Sequence, residues 1–301
     1  MTVLSKFYQI FLSEQAKKQI EKIILYVALV GFFIHLILIY LSKFGFISAL
    51  PASELFKNPI SAIYTPFSFI LIYEVYLLIY YLPKSFTTYI TKQYEIITLI
   101  IIRNLFKDLS ALELSSNWFD IKGDLQFTYD ILASVILFYL IFQFQKQGML
   151  KAPPQNYSNP KIIRFIQRKK LIAVILVPIF FTLALITLFN WTSGISFSAN
   201  DYPSFEKINN LFFDEFFTIL ILVDVILLLI SFFYTDKFHK IIRNSGFVVS
   251  TILIRMSFGV SGLISTILIV AAVLFGLAII VIHNKYQKNY SPLAQSPIKD
   301  I

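Results

Sequence analysis

Four charged residues stand inside apolar segments of the chain, where charged side chains are uncommon. Glu74 and Asp224 each lie in an apolar segment, and Arg103 and Arg255 each lie in the segment that follows. A charged side chain at the centre of a bilayer costs about 2.5–3.5 kcal/mol on insertion scales, so such groups are expected to pair or to face water. The spacing predicts two intramembrane ion pairs, Glu74–Arg103 and Asp224–Arg255.

The depth of these charges follows from the helical rise of 1.5 Å per residue. Counted from the ends of the apolar segments, Glu74 and Arg103 lie about 12 and 14 Å deep, and Asp224 and Arg255 both about 17 Å. Matching depths on consecutive antiparallel helices favour pairing. Two roles remain open for the pairs: they line the path of an ion or solute, or they hold the helices of a bundle together.

Other chemistry has little support in the sequence. The chain has no cysteine, and His35, His239 and His283 are far apart, so we expect no metal site, no cofactor and no enzymatic activity. His35 lies inside the first apolar segment and could titrate near neutral pH. A hydrogen-bonded structural role is the alternative for this histidine.

The composition indicates whether the chain is surrounded by water or by lipid. Of 301 residues, 57% are apolar and 14% charged, and the mean hydropathy is +0.73. Soluble domains have about 45–50% apolar and about 25% charged residues. The net charge of +9 comes from basic residues placed mostly between apolar segments, which indicates a membrane topology signal and not nucleic-acid binding. We therefore expect an all-α integral membrane protein.

Eight segments are long and apolar enough to be considered as spans, since about 20 residues cross the hydrocarbon core as a helix. The third and seventh carry an arginine, so a hydropathy criterion could miss them. The seventh and eighth are separated only by Gly259 and Gly262, where a turn is expected because glycine tolerates positive φ. The predicted spans are 23–42, 66–82, 94–112, 127–145, 171–191, 213–235, 244–258 and 262–283.

The distribution of basic residues predicts the orientation. With both termini inside, 19 of the 26 Lys and Arg residues fall on the inner side and five on the outer side, as the positive-inside rule requires. This predicts a multi-pass protein of the bacterial inner membrane with N-in and C-in topology. The basic inner segments could bind acidic lipid headgroups, and a protein partner or a homo-oligomer stays open.

The two halves of the chain resemble each other. When residues 70–79 are aligned with 220–229, Glu74 falls on Asp224, and Arg103 falls on Arg255 in the following segments. Four helices per copy is an even number, so the copies would form parallel repeats. The predicted organisation is a first four-helix repeat with an N-terminal amphipathic segment (1–148), a cytoplasmic basic linker (149–170), a second four-helix repeat (171–288) and a cytoplasmic tail (289–301).

Two functions are compatible with this pattern. The first is a small ion or solute transporter or channel that uses the paired charges Glu74, Arg103, Asp224 and Arg255. The second is a membrane scaffold or sensor subunit that transports nothing and whose ion pairs are structural. The sequence does not identify a substrate.

Overall fold

The structure, a computed structural model, is helical throughout the residues that it describes. Those residues are 3–45, 59–111, 122–149, 160–193, 205–235, 237–260 and 262–290. A short 3₁₀ segment, Pro59–Ile63, precedes the third helix. The α-helices are α1 (Val3–Phe11), α2 (Glu14–Lys43), α3 (Tyr64–Tyr81), α4 (Phe86–Ala111), α5 (Lys122–Met149), α6 (Pro160–Ser193), α7 (Phe205–Phe232), α8 (Phe238–Ser257) and α9 (Leu263–Tyr290).

Helices α2 to α9 correspond in order to the eight predicted segments. Six of them, α2, α3, α5, α6, α7 and α9, contain stretches long and apolar enough to cross a membrane. The chain is therefore a polytopic helical membrane protein, as the composition predicts. Helices α4 and α8, the two segments that carry an arginine, are not among these six candidates.

The predicted break between the last two helices is confirmed. Helix α8 ends at Ser257 and α9 begins at Leu263. Gly262 adopts a φ of +78°, a left-handed conformation that a residue with a Cβ atom rarely adopts. The single apolar stretch is therefore divided by a glycine turn.

Helices α4 and α8 occupy the interior of the bundle. Each packs against the helix that follows it, α5 and α9 respectively, and they also contact each other; α5 packs against α9 in addition. Apolar side chains cover the outer surface, for example Phe138 on α5, which is 75% exposed. Buried polar side chains lie inside, so the polarity is that of a protein surrounded by lipid.

Close approach of α4, α8 and α9 depends on two glycines. A Cβ atom on Gly246 of α8 would lie 2.8 Å from Ile279 of α9, and one on Gly276 of α9 would lie 1.9 Å from the hydroxyl of Tyr94 on α4. Small residues allow helix backbones to approach in this way inside membranes. The Tyr94 hydroxyl thus occupies space that a side chain at residue 276 would fill.

The N-terminal amphipathic segment is divided into two helices at Ser13. The Ser13 side chain accepts a hydrogen bond from the backbone N–H of Ala16 at 3.1 Å and caps the start of α2, a position that serine favours. Helix α1 packs against α6, and the hydroxyl of Tyr76 donates to the carbonyl of Phe11. The first half thus begins with a docked helix.

The predicted linker and tail are described only in part. The basic residues Arg164 to Lys170 belong to the first turns of α6, which begins at Pro160. Residues 150–159 of the linker and 291–301 of the tail lie outside the described residues. We call the end of the bundle that carries this basic segment, the α3–α4 turn and the α7–α8 turn the basic end, and the opposite end the far end.

Candidate functional site

A buried carboxylate is the centre of the best-defined polar cluster. Asp224 of α7 is 1% exposed. Its Oδ2 accepts hydrogen bonds from Nε2 of Gln93 on α4 at 3.0 Å and from Oγ1 of Thr251 on α8 at 3.4 Å. Asp224 lies eight residues before the end of α7, which is about 12 Å from the basic end. Three helices therefore meet at one acidic side chain.

The second oxygen of this carboxylate is left unsatisfied. Oδ1 of Asp224 and the hydroxyl of Tyr89 are both buried, and neither makes a hydrogen bond of good geometry among the described residues, although the hydroxyl lies within hydrogen-bonding reach of the carboxylate. Buried polar atoms are almost always hydrogen-bonded in proteins. A cavity of about 20 Å³, room for about one water molecule, lies beside Asp224, Gln93 and Thr251. Tyr89 is therefore the nearest further donor for this carboxylate, and the cavity beside it has the size of one water molecule.

A buried lysine lies near this cluster. Lys169 of α6 is 2% exposed, and its ammonium donates a hydrogen bond to the carbonyl of Lys84 in the α3–α4 turn at 2.6 Å. The ammonium also lies 5.0 Å from the ring centre of Phe86 and 5.4 Å from that of Phe165, which are cation–π contacts. Lys169 interacts electrostatically with Asp224, but the two form no salt bridge.

Helical periodicity explains how the cluster is assembled. Tyr89 and Gln93 are four residues apart on α4 and share one face of that helix. Thr251 and Arg255 share one face of α8 in the same way, and Arg255 borders the same cavity as Asp224 one turn farther from the basic end. The cluster thus occupies the junction of α4, α6, α7 and α8.

Glu74 lies in a different environment on α3. Its electrostatic neighbours are Lys92 and Glu95 of α4 and Glu21 of α2. Lys92 and Glu95 form a salt bridge, the one found among the described residues, and Gln145 of α5 donates to Glu95 at 2.7 Å. In this second cluster the carboxylates of Glu74, Glu95 and Glu21 lie near the ammonium of Lys92.

The two predicted arginine pairs have no support in these contacts and stay predictions. Arg255 borders the cavity of Asp224, but the described partners of that carboxylate are amide, hydroxyl and lysine groups. Arg103 is buried on α4, eight residues and about 12 Å beyond Glu95 along the helix. The structure brings Asp224 and Arg255 to one cavity and gives Glu74 other neighbours.

His35, the predicted titrating group, and the histidines at the basic end are in contact with polar groups. Nδ1 of His35 lies 2.6 Å from Oγ1 of Thr65, a hydrogen bond that joins α2 to α3. At the basic end, His283 contacts the carbonyl of His239 at 3.0 Å and a guanidinium nitrogen of Arg243 at 3.3 Å. Partial burial, followed by the nearby charges of Lys240, Lys237 and Arg243, lowers the pKa of His239 below its usual value.

A separate polar junction joins α5 to α9 toward the far end. Asp130 of α5 is 6% exposed, and its Oδ1 accepts hydrogen bonds from Gln126 at 2.9 Å and from Thr266 of α9 at 3.0 Å. In this junction one carboxylate oxygen accepts both hydrogen bonds, one from α5 and one from α9. Asp130 therefore serves as a matched structural comparison for Asp224.

Several residues of the Asp224 cluster carry no distinctive signal in the sequence. Lys169 belongs to a run of basic residues that is read as a topology signal, and nothing in the run separates it from its exposed neighbour Arg168. Tyr89 and Gln93 precede the predicted third span. Thr251 is an ordinary residue of the seventh span. The helical contacts between distant segments, and not local spacing, bring these groups together.

Comparison with known proteins gives no relative from which a role could be transferred. The chain matches no protein-family model, no curated protein and no solved structure. Within the described residues there is also no group of three or more His, Cys, Asp or Glu side chains that could hold a metal ion. The function must therefore be argued from the site itself.

Proposed function

We propose that this protein is a small membrane transporter for a cation and that Asp224 is its binding residue. The observation that carries the proposal is the buried carboxylate of Asp224, whose Oδ1 makes no hydrogen bond of good geometry and which lines a cavity of about 20 Å³. A buried acid with free acceptor capacity attracts a positive charge, because an uncompensated carboxylate is strongly disfavoured in an apolar interior.

The dimensions of the site favour a small ion over a larger solute. The cavity has room for about one water molecule. Its polar lining residues are Gln93, Asp224, Thr251 and Arg255, and the other six are apolar. Hard cations prefer oxygen ligands. Because Asp224 is almost completely buried, access has to alternate between the two sides, which favours a transporter over an open channel.

The predicted charges outside the cluster fit the same proposal. Arg255 borders the cavity on its far side, and Glu74 with Arg103 would form the corresponding site of the first repeat. Contacts of α4 with α8 and of α5 with α9 join helices that correspond in the two proposed copies, as an axis between parallel repeats would require. We propose eight spans, with Glu74, Arg103, Asp224 and Arg255 along the path.

The orientation and the lipid contacts are part of the proposal. The basic end faces the cytoplasm of a bacterial cell in the N-in and C-in topology, and it contacts acidic headgroups through lysines such as Lys17, Lys84 and Lys170. These ammonium groups lie over tyrosine rings, which places charge and amphipathic rings together as at a membrane interface.

The test is cation flux into proteoliposomes that contain the purified protein. Wild-type protein is expected to move Na⁺, K⁺ or Li⁺ down an imposed gradient, and Asp224→Asn is expected to abolish this flux while the protein folds normally. Asp130→Asn changes another buried aspartate, whose Oδ1 is hydrogen-bonded by Gln126 and Thr266, and is expected to leave the flux intact. Equal flux in wild type and Asp224→Asn would refute the proposal.

The alternative is a scaffold whose polar clusters only join helices. It is favoured by the hydrogen bonds of Asp224, which connect α7 to α4 and α8. A scaffold predicts that wild-type proteoliposomes show no flux of any of the three ions. It also predicts that replacing Asp224 affects only stability.

A further inference from the structure

Helix α1 has three different faces. Successive residues of an α-helix are rotated by about 100°, so Tyr8 and Leu12, which directly follows the helix, share one face. Lys6 and Gln9 share a second face, about a third of a turn away. The third face consists of three large apolar side chains, Phe7, Ile10 and Phe11.

The first of these faces is docked on the bundle. Leu12 is 2% exposed, and Tyr8 packs against the buried core. The ammonium of Lys170 on α6 lies 4.8 Å from the ring centre of Tyr8. The hydroxyl of Tyr76 on α3 donates a hydrogen bond to the carbonyl of Phe11 at 2.8 Å. Helix α1 is therefore attached to α3 and α6, and its other two faces point away from the bundle.

The apolar face is open. Phe7 is 49% exposed, Ile10 63% and Phe11 41%. The rings of Phe7 and Phe11 are stacked with their centres 6.2 Å apart, so the three side chains form one continuous surface. A contiguous exposed apolar surface marks a site of contact with a membrane or with another protein.

The contacts of α1 place this face at the level where the lipid headgroups meet the hydrocarbon. Lys170, which contacts Tyr8, is the last basic residue of α6, and the apolar part of that helix begins with Leu171. Beside it, the ammonium of Lys17 on α2 lies over the ring of Tyr80 near the end of α3. Lysine and tyrosine side chains collect at this level of a membrane, because their apolar parts are buried while their polar ends reach water.

We propose that α1 is an interfacial helix whose apolar face, formed by Phe7, Ile10 and Phe11, inserts into the lipid leaflet at the basic end. Amphipathic helices with a basic polar side lie at the boundary of headgroups and acyl chains in this way. Lys6 on the polar face is then close to acidic headgroups, which attract it, and Gln9 faces water. The helix anchors the leaflet to α3 and α6. This inference does not depend on the proposed transport function.

The test locates the face with spin labels. Because the chain has no cysteine, the single variants Phe7→Cys, Ile10→Cys and Phe11→Cys each accept one nitroxide label. The full-length labelled protein is reconstituted into vesicles of phosphatidylcholine and phosphatidylglycerol. Power saturation in electron paramagnetic resonance then measures how often each label collides with oxygen, which concentrates in hydrocarbon, and with a nickel chelate, which stays in water.

Two matched variants calibrate the measurement. Gln9→Cys labels the polar face of the same helix, and Phe138→Cys labels a residue of α5 that is 75% exposed on the outer surface of the bundle. For the labels on the apolar face, the ratio of oxygen to nickel accessibility is expected to be several-fold higher than at residue 9. It is expected to approach the ratio at residue 138.

Two results would overturn the proposal. A ratio on the apolar face equal to that at residue 9 would show that this face lies in water. Low accessibility to both reagents would show that protein covers the face, either a second copy or another segment of this chain. All three positions lie on the surface of one helix, so if one labelled variant does not fold, the other two give the answer.

Discussion

The contact between Gly276 and Tyr94 provides the sharpest test of the packing that supports the site. Replacing Gly276 with alanine would place a Cβ atom 1.9 Å from the Tyr94 hydroxyl oxygen, 2.9 Å from Cζ and 3.3 Å from Oγ of Ser250. Optimal contacts lie near 3.5 Å, so the ring would have to move by about 1.5 Å. Tyr94 is completely buried and packs edge-on against Phe144 at 5.1 Å.

The expected magnitude follows from these contacts. Overpacking of a close-packed interior costs about 1–3 kcal/mol, and a displaced Tyr94 would also lose its 2.7 Å hydrogen bond to Ser250, worth about 1 kcal/mol. Gly276→Ala is therefore expected to destabilise the protein by about 2–4 kcal/mol. Tyr94→Phe alone is expected to cost about 1 kcal/mol, and Ser250 would still donate to the Ala272 carbonyl.

The combined variant measures the clash directly. Tyr94→Phe removes the oxygen that lies closest to the new methyl group, so the double variant is expected to be more stable than additivity predicts, by about 1–2 kcal/mol. Stability is measured by SDS titration in mixed micelles, followed by far-UV circular dichroism. Gly259→Ala is the matched control, because its Cβ atom would meet nothing nearer than 3.5 Å. The packing of α4 against α8 and α9 would be refuted if Gly276→Ala were as stable as the wild type. It would also be refuted if the free-energy changes of the two single variants added up in the double variant.

Three further predictions concern charge. Asp224→Asn is expected to keep the free energy of unfolding within about 1 kcal/mol of wild type. Asp224→Leu is expected to lose about 2–4 kcal/mol, because the buried polar partners of Asp224 lose their acceptor. Equal stability of the two variants in the same SDS titration would contradict this. In an NMR titration the pKa of His239 is expected below the usual 6.5, so folding is opposed by protonation as the pH falls below that value. Lys240→Gln is expected to raise this pKa, and an unchanged or lower value would contradict the electrostatic explanation. Because the chain has no cysteine, single cysteines at residues 43 and 237 report the topology: an impermeant thiol reagent added outside spheroplasts is expected to label Lys43→Cys and not Lys237→Cys, and the reverse pattern would overturn the orientation.

The secondary structure was largely predictable because the apolar segments are long. Eight segments predict α2 to α9, and the glycines at 259 and 262 predict the turn between α8 and α9. The predicted ends are less accurate, because helices continue beyond the apolar core into polar sequence. Helix α6 begins at Pro160, eleven residues before the predicted span, since the basic residues Arg164 to Lys170 are themselves good helix formers. A hydropathy criterion identifies only the apolar part of a helix, whereas the helix itself continues into the polar residues on either side.

The site was predictable only in part. Asp224 is recognisable as a charge in an apolar segment, and Arg255 borders the same cavity. The hydrogen-bond donors to Asp224, Gln93 and Thr251, are however ordinary polar residues of their own segments. The depths were estimated by counting residues from the ends of the apolar segments, which assumes that each helix ends where its segment ends. Asp224 instead lies about 12 Å from the end of α7, compared with the estimate of about 17 Å. Contacts between distant helices cannot be read from spacing along the chain.

The arrangement of Lys169 and Asp224 differs from that of a directly paired buried salt bridge. Burying two charges is expensive, and their attraction offsets this cost only when the geometry is good and the remaining polar atoms are satisfied. Here the charges make no direct salt bridge, and Oδ1 of Asp224 is unsatisfied. The Asp130 junction shows the alternative within the same chain, since there a buried carboxylate oxygen accepts two hydrogen bonds. A bundle that needed only cohesion would gain more from the second arrangement. Under the proposed transport function, a cation that occupies the cavity for part of a cycle would provide the missing partner of this oxygen.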